Sequence, residues 1–401
     1  MRNGISVLIV SYNDREIMGR CLAALRRDLT VPGDEVIVVD NGSTDGVLED
    51  LRAAAGEGTP ASGGASGGPC VVLIENGENA GFPVGCNIGF AAAAPGNDIF
   101  LLNNDAVLSE GALEHLTAAL YSAEDVGAVG PVSNNALEQI EPGAPGELAA
   151  ALTYGSVLSF ERTLAGVHYE YRSRLTGFAV LIRRTVADRL LSEDGFLMDP
   201  RFSPGYFEDE DLGVRIALAG YRQILCHDAF VYHKGGTGFA SHPEAMERGR
   251  GRFMEKWGFD AWAYIGILDD YEEAVTRYLD AGTAGHAGSD SAGASLRILE
   301  IDCGMGVNLA HLAYLYPGSY MLGIERDPVI AQVASQLIDV VLADPEEAFA
   351  AAEVPGSPEA SVLAAGTFDI VFAWDACERC TDPAGFRRRL EALLGPGGAI
   401  I

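Results

Sequence analysis

The feature that most constrains the fold is a repeated pairing: a short, wholly apolar run that stops on polar or acidic residues, followed by a segment with helical spacing. SVLIV (6–10) leads to Asn13 and Asp14, VIVV (36–39) to Asp40, and IFLL (99–102) to Asn103, Asn104 and Asp105. Runs this short and apolar read as strands buried on both faces, and after the first of them Ile17, Cys21 and Leu25 recur at four-residue spacing as one face of a covering helix. The alternation specifies an α/β chain with a largely parallel sheet. In open sheets of this kind ligands bind outside the carboxyl ends of the strands, which is where Asp40 and Asp105 fall.

The same reading extends along the chain. Residues 71–74 resume the sheet and 82–94 read as a helix. Ser43 or Thr44 can cap the helix after the Asn41-Gly42 turn, and Ser109 the helix that carries Leu113, Leu116 and Leu120. A strand is expected over 175–182 with a helix from Thr185. Another helix starts near 208–211, buries Leu212, Ile216 and Ala219, and ends at Gly220. Residues 53–69, small and glycine-rich, predict a surface loop, and periodicity weakens after residue 130. A second break, DAGTAGHAGSDSAGAS at 280–295, predicts a linker, after which strands are expected at 298–301, 321–325, 340–342 and 368–374. A chain of 401 residues exceeds a typical single core, so the expectation is two domains, 1–279 and 296–401, joined by 280–295.

With 57 acidic against 27 basic residues the formal charge is −30, which argues against nonspecific nucleic-acid binding and against docking on anionic lipid. An anionic ligand would need local compensation, for which a divalent cation suffices. The seven scattered cysteines suit a reducing compartment, and the lone pair Cys377 and Cys380 reads as incidental. GISVLIVSY is too short for a signal segment, and no apolar run reaches membrane-spanning length. The expectation is a cytoplasmic chain, at most peripheral to the inner membrane.

The runs VLIVSYND, VIVVDNGSTDG, ENAGFPVGCNIGF, FLLNNDA, TGFAVLIRR, YFEDEDLGVRIALAGYR, VYHKGGTG and RFMEKWG, in this order, resemble the family 2 inverting glycosyltransferases of GT-A fold, of the rhamnosyl- or galactofuranosyl-transferase type. The likeness covers about residues 5 to 258. It implies a GT-A nucleotide-sugar-binding domain in which Asn13, Asp14 and Asp40 border the nucleoside. Asn79, Gly81 and Asn104 would assist with the donor, and Asp105 and His233 would hold Mn2+ or Mg2+ against its diphosphate. The first position of the family's DxD motif is the amide Asn103 here, leaving one carboxylate, and such ions accept water and phosphate oxygens as their other ligands. The resemblance implies Asp209 as the base that deprotonates the acceptor hydroxyl, with Glu208 orienting it or the acceptor.

Plainer readings stand beside these. Asp40 could cap the next helix, Asn103 and Asn104 could serve turn chemistry, and His233 could be packed and hydrogen-bonded. Glu210 and Asp211 are explained by the preference of acids for a first helical turn. Arg248, Arg250, Arg252 and Lys256 form a basic cluster that could close over a diphosphate or be a solvated helix face, and Trp257 reads as core.

From residue 296, RILEIDCGMGVNLAHLA, LGIERDP and FDIVFAWDA resemble a class I S-adenosylmethionine-dependent methyltransferase, an incomplete Rossmann-like domain. The likeness implies cofactor contacts at Glu300, Gly304, Gly306, Glu325 and Asp344. Asp302 replaces the family's first motif glycine, and the sequence stops at LLGPGGAII, inside a fifth strand; the expectation is a truncated piece, a degenerate domain, or one whose open edge a neighbouring copy completes. Three functions are therefore in play. The first is sugar transfer from a nucleotide-sugar to a glycan or lipid-linked acceptor for surface polysaccharide, the second methylation of a sugar or glycan, and the third nucleotide-sugar binding without catalysis.

Overall fold

The computed structural model describes residues 3–57, 69–165, 168–235, 243–281, 295–374 and 376–401. The chain divides into two compact units, one of residues 1–169 and 174–261, the other of 170–173 and 262–401. The composition break at 280–295 is therefore not where the units part. Helix Asp269–Asp280, ahead of that break, belongs to the second unit because its apolar face, Tyr271, Ala274, Val275 and Tyr278, is buried. Residues 282–294 of the expected linker and 58–68 of the expected surface loop lie outside the described residues; helix Val47–Glu57 takes the start of that loop.

The strands that precede residue 262 are β1 (Ile5–Ser11), β2 (Glu35–Asp40), β3 (Cys70–Glu75), β4 (Asp98–Leu102), β5 (Ala106–Leu108), β6 (Val126–Val132), β7 (Tyr169–Arg172), β8 (Ala179–Ile182) and β9 (Arg222–His233), and all but β7 belong to the first unit. The main path of the sheet runs β3-β2-β1-β4-β8-β6-β9-β5. β1 is parallel to β2 on one side and to β4 on the other, so the chain reverses its direction of travel across the sheet at β1. In open sheets such a reversal is where a ligand crevice forms, at the carboxyl ends of β1, β2 and β4, and the first acidic and amide residues lie at those ends. Beyond β4 the sheet is mixed: β8 is antiparallel to β4 and β6, β6 is parallel to β9, and β5 meets β9 antiparallel with Ala106 opposite His233. The core beneath joins Leu8, Ile37, Ile99, Leu101, Val180 and Ile182 of the sheet to Phe90, Val186, Leu190, Leu212 and Ile216 of the helices.

Local differences from the sequence reading have local causes. Ser109 does not cap a helix: its hydroxyl donates to the Phe230 carbonyl at 2.8 Å, and Gly111 in a left-handed conformation begins helix Ala112–Leu120. Ser43 and Thr44 likewise precede the helix at Val47, whose N–H is received by Asp45. Helix Leu148–Ala165 carries so little amphipathic signal that periodicity does not announce it.

The second unit is a five-stranded parallel sheet in the order β12-β11-β10-β13-β14, from β10 (Arg297–Ile301), β11 (Tyr320–Glu325), β12 (Asp339–Leu342), β13 (Phe368–Phe372) and β14 (Leu394–Ile400). Leu299, Ile301, Leu322, Ile324, Phe368 and Val371 pack with Phe349, Phe386 and Leu390 to form its core. β10, flanked by β11 and β13, is again the reversal point, and the glycine loop follows it. Among the described residues no helix is long and apolar enough to cross a membrane.

Candidate functional site

At the carboxyl end of β2, Asp40 is 1% exposed. Its Oδ2 accepts the Gly42 and Ser43 amides at 3.1 Å each, while Oδ1 is buried without a partner. Local turn chemistry thus accounts for one oxygen only. The other is an orphan acceptor at the crevice, the state expected of a group that receives its donor from a ligand. Asn13 and Asp14, both left-handed at φ 63° and 64°, turn the chain out of β1. Asn13 is bonded to Ser43 and Thr44, its carbonyl accepts from Asn104 Nδ2 at 3.1 Å, and Asp14 pairs with Lys234. The β1, β2 and β4 ends are thereby tied into one rim.

Asn79 and Gly81 are placed differently. The Asn79 side chain accepts the Gly81 N–H at 3.0 Å and Phe82 N–H goes to the Pro204 carbonyl at 2.9 Å. Gly81 has φ 87°, and a Cβ there would stand 2.5 Å from Pro204 Cα. The close approach that requires glycine is thus to the chain's own backbone.

Asp105 is buried, with Oδ2 accepting the Gly235 amide at 3.1 Å and Oδ1 3.4 Å from His233 Nε2. The pairing of β5 with β9 makes this meeting: His233 lies opposite Ala106, next to Asp105 in the chain. Asn135 carbonyl oxygen is 2.6 Å from His233 Nδ1, which fixes a proton there and leaves Nε2 facing Asp105, and Phe178 stacks on the ring at 4.9 Å between centroids. Burial lowers the pKa of His233, but Asp105 and the Asn135 carbonyl outweigh it and hold it above its ordinary value. Burial pushes Asp105 up, and His233 with the Gly235 amide more than offsets that and keeps it below the usual carboxylate range.

Two ligands about 2.1 Å from one ion at a right angle lie roughly 3 Å apart, so an ionised carboxylate and a neutral Nε2 at this separation fit a divalent cation. Asn103 Nδ2 is 3.5 Å from His233 Nε2, so the amide in the first motif position borders the same spot. Among the described residues no group of three or more His, Cys, Asp or Glu could hold a metal, so a cation on this pair would have to take its other ligands from bound oxygens and water.

Glu208 and Asp209 open helix Glu208–Leu218. Asp209 Oδ2 accepts the Gly177 N–H at 2.8 Å, whereas Oδ1 and Glu208 Oε2 are buried without partners. Burial and the neighbouring Glu210 raise the Asp209 pKa to about 7, against the pull of the Gly177 amide and Arg174. Burial and the Asp209 charge push Glu208 well above its ordinary value. A carboxylate titrating near neutrality with a bare oxygen is suited to proton transfer. Gly177 has no side chain for a reason: a Cβ would stand 2.3 Å from Asp209 Oδ1. Gly177 and Phe178 are consecutive, so the amide of one touches the Asp209 carboxylate and the ring of the next stacks on His233. Those two residues and Asn135 were not singled out from sequence, although the TGF tripeptide preceding an apolar run was visible.

Glu210 and Asp211 are not held there by the helix dipole alone. Glu210 faces Arg174 at 3.5 Å, and fully buried Asp211 receives Lys256 Nζ at 2.5 Å and Trp257 Nε1 at 3.0 Å. This also corrects the reading of the basic cluster as a lid. Lys256 is spent on Asp211 and Asp199, Arg250 on Asp260, and Arg252 on the Arg201 and Ser203 carbonyls; only Arg248 is plainly exposed. Trp257 is half-buried, its indole N–H engaged by that network.

In the second unit Glu300 is 3% exposed, with one oxygen bonded to Tyr271 and Oε2 unpartnered. Burial raises its pKa to about 8. Glu325 at the end of β11 already accepts three backbone amides, from Gly304 at 3.0 Å, Arg326 at 2.8 Å and Asp327 at 2.9 Å. Asp344 caps helix Pro345–Ala352 and pairs with Arg326 at 3.2 Å. Gly304 and Gly306 have positive φ, and Tyr264 lies against Gly304, 2.6 Å from where a Cβ would be. The cavity bordered by Asp302, Arg326, Asp344 and Arg379 holds about 200 Å3, less than the roughly 300 Å3 at which small-molecule sites begin. In this conformation the residues present do not fit a nucleoside cofactor.

Residues 269–401 match the model of a methyltransferase domain. The chain is 25% identical over 180 residues to the chloroplastic tocopherol O-methyltransferase of Arabidopsis thaliana, covering 40% of this chain and 50% of that protein. It is 31% identical over 155 residues to the ubiquinone biosynthesis O-methyltransferase of Methylobacterium sp. (strain 4-46), covering 37% and 58%. The chain thus spans little more than half the length of these curated relatives. Solved structures similar to it include GalNAc-T7 with UDP, GalNAc and Mn2+, at 17% identity and TM-score 0.45 over 70% of this chain and 51% of that one. Another is glucosyl-3-phosphoglycerate synthase from Mycobacterium tuberculosis with Mn2+, UDP and phosphoglyceric acid, at 15% identity and TM-score 0.41 over 63% and 78%. Residues 2–255, more than half of the chain, match the model described as glycosyltransferase like family 2, and the chain belongs to that family.

Proposed function

We propose that the first unit transfers a sugar, with inversion, from a UDP- or dTDP-activated donor to a hydroxyl of a glycan or lipid-linked acceptor, in the synthesis of surface polysaccharide. The observation that carries this reading is the Gly177–Phe178 peptide, which brackets a carboxylate titrating near 7 on one side and the Asp105–His233 pair on the other. A base and a cation-ready pair that share one backbone link are what an in-line displacement at a diphosphate-activated carbon needs.

Asp209 Oδ1 takes the proton of the acceptor hydroxyl as its oxygen forms the new bond to the anomeric carbon. The bond from that carbon to the diphosphate oxygen breaks, and the electron pair leaves with the nucleoside diphosphate. Mn2+ or Mg2+ on Asp105 and His233 would supply neutralisation of the leaving charge. Asp40 Oδ1 and the Asn13–Asn104 rim would border the nucleoside. A lipid-linked acceptor would bring the chain to the inner membrane as a peripheral protein.

The test is a screen of UDP- and dTDP-sugars for transfer, run on the wild type and on Asp209→Asn. The variant should bind the nucleotide as before and lose about 10²- to 10⁴-fold in turnover. Turnover equal to that of the wild type would remove Asp209 from the mechanism.

A further inference from the structure

The second unit carries a device that its resemblance to a methyltransferase does not predict. Asp302 directly follows β10, where the resemblance expects a glycine, and it keeps a glycine-like backbone at φ 55°. Its carboxylate is not idle. Oδ1 accepts from Arg326 Nη2 at 2.9 Å and Oδ2 from Arg379 Nη2 at 2.8 Å, and Arg326 continues to Asp344 at 3.2 Å. The result is a strap of alternating charge, Asp344–Arg326–Asp302–Arg379, laid from the carboxyl end of β12 past those of β11 and β10 to the short helix after β13. In an open parallel sheet that is the line along which a nucleoside lies.

The remaining cavity, about 200 Å3, is bordered by the same four residues together with Glu346 and Thr381. Glu325, the acid that would meet a ribose, is turned inward onto three backbone amides, one of them that of Gly304 in the glycine loop. Both guanidiniums are about half exposed, so each ion pair alone is weak. Asp302 is the member that pairs with both arginines, being 19% exposed at the loop itself, and without it the two arginines have no common anchor.

We propose that Asp302 holds the nucleoside cleft of this unit shut, so that the unit as it stands binds S-adenosylmethionine poorly and is opened by removing this one carboxylate. Asp302→Gly is the informative substitution. It suits the positive φ better than aspartate does, so the fold is kept, and it removes the anchor and the side chain together.

The experiment is calorimetric titration of S-adenosylmethionine, and in parallel S-adenosylhomocysteine, into the full chain, with a thermal melt to check that each variant folds. The Asp302→Gly chain should bind at least tenfold more tightly than the wild type. The Arg326→Ala/Arg379→Ala chain should gain less, because the aspartate remains in the loop. Equal affinities of wild type and Asp302→Gly would overturn the proposal, as would a folded Asp302→Gly chain that binds neither ligand. Because the readout is binding to the second unit, its failure leaves the sugar-transfer reading of the first unit untouched.

Discussion

Replacing Asp209 by Asn should stabilise the protein while it disables it, and the gain should depend on pH in a way that identifies the group. In the folded chain the carboxyl titrates at about 7, against 3.8 for the ordinary group. Below pH 4 both states are protonated and the wild type and variant differ little on this account. Between about pH 4 and 7 the unfolded chain releases the proton and the folded chain retains it, so wild-type stability falls as pH rises, and above 7 the full penalty persists. Each pKa unit is worth about 1.4 kcal/mol, which makes the ceiling on the order of 4 kcal/mol. Partial exposure of the side chain and its interaction with Glu208 bring the expectation nearer to about 2 kcal/mol.

Asparagine keeps an oxygen to accept the Gly177 N–H, so that hydrogen bond is not the variable. The assay is urea unfolding of both chains at pH 4, 6 and 8. The stability difference, variant minus wild type, should grow with pH and level off above 7. A difference that is flat with pH would refute the assignment of a buried, neutral-range carboxyl to position 209.

Gly177→Ala would place a methyl 2.3 Å from Asp209 Oδ1, so turnover should fall at least tenfold; unchanged turnover would mean the carboxylate is free to move aside. Lys256→Ala strips a cation from buried Asp211 and Asp199 and should cost about 3 kcal/mol by urea unfolding, whereas a lid role would cost donor affinity and little stability. His233→Ala should weaken Mn2+ binding at least tenfold by calorimetry without nucleotide present, since one of the two proposed protein ligands would be lost.

What could be read from the sequence followed from termination of strands. An apolar run that ends on Asp40, Asp105 or Glu325 places that residue at the carboxyl edge of a sheet whatever the rest of the chain does. What could not be read was long-range. Nothing near residue 209 announces that Gly177 will carry its carboxylate, because the two are 32 residues apart and meet only once β8 is paired. The cationic run 248–256 looked like a site since charge alone does not say whether a partner is buried; Asp211 and Asp199 were, and they consumed Lys256. Glycine is equally ambiguous in sequence. At Gly81 the close neighbour is Pro204, not a ligand, and at Asp302 a left-handed position has been filled by a side chain that then found two arginines.

The most direct measurement is calorimetric titration of UDP and dTDP into the chain with and without Mn2+, repeated on Asp105→Ala. The account predicts binding that requires the metal and weakens at least tenfold in the variant. Nucleotide affinity indifferent to both Mn2+ and the loss of the 105 carboxylate would contradict it.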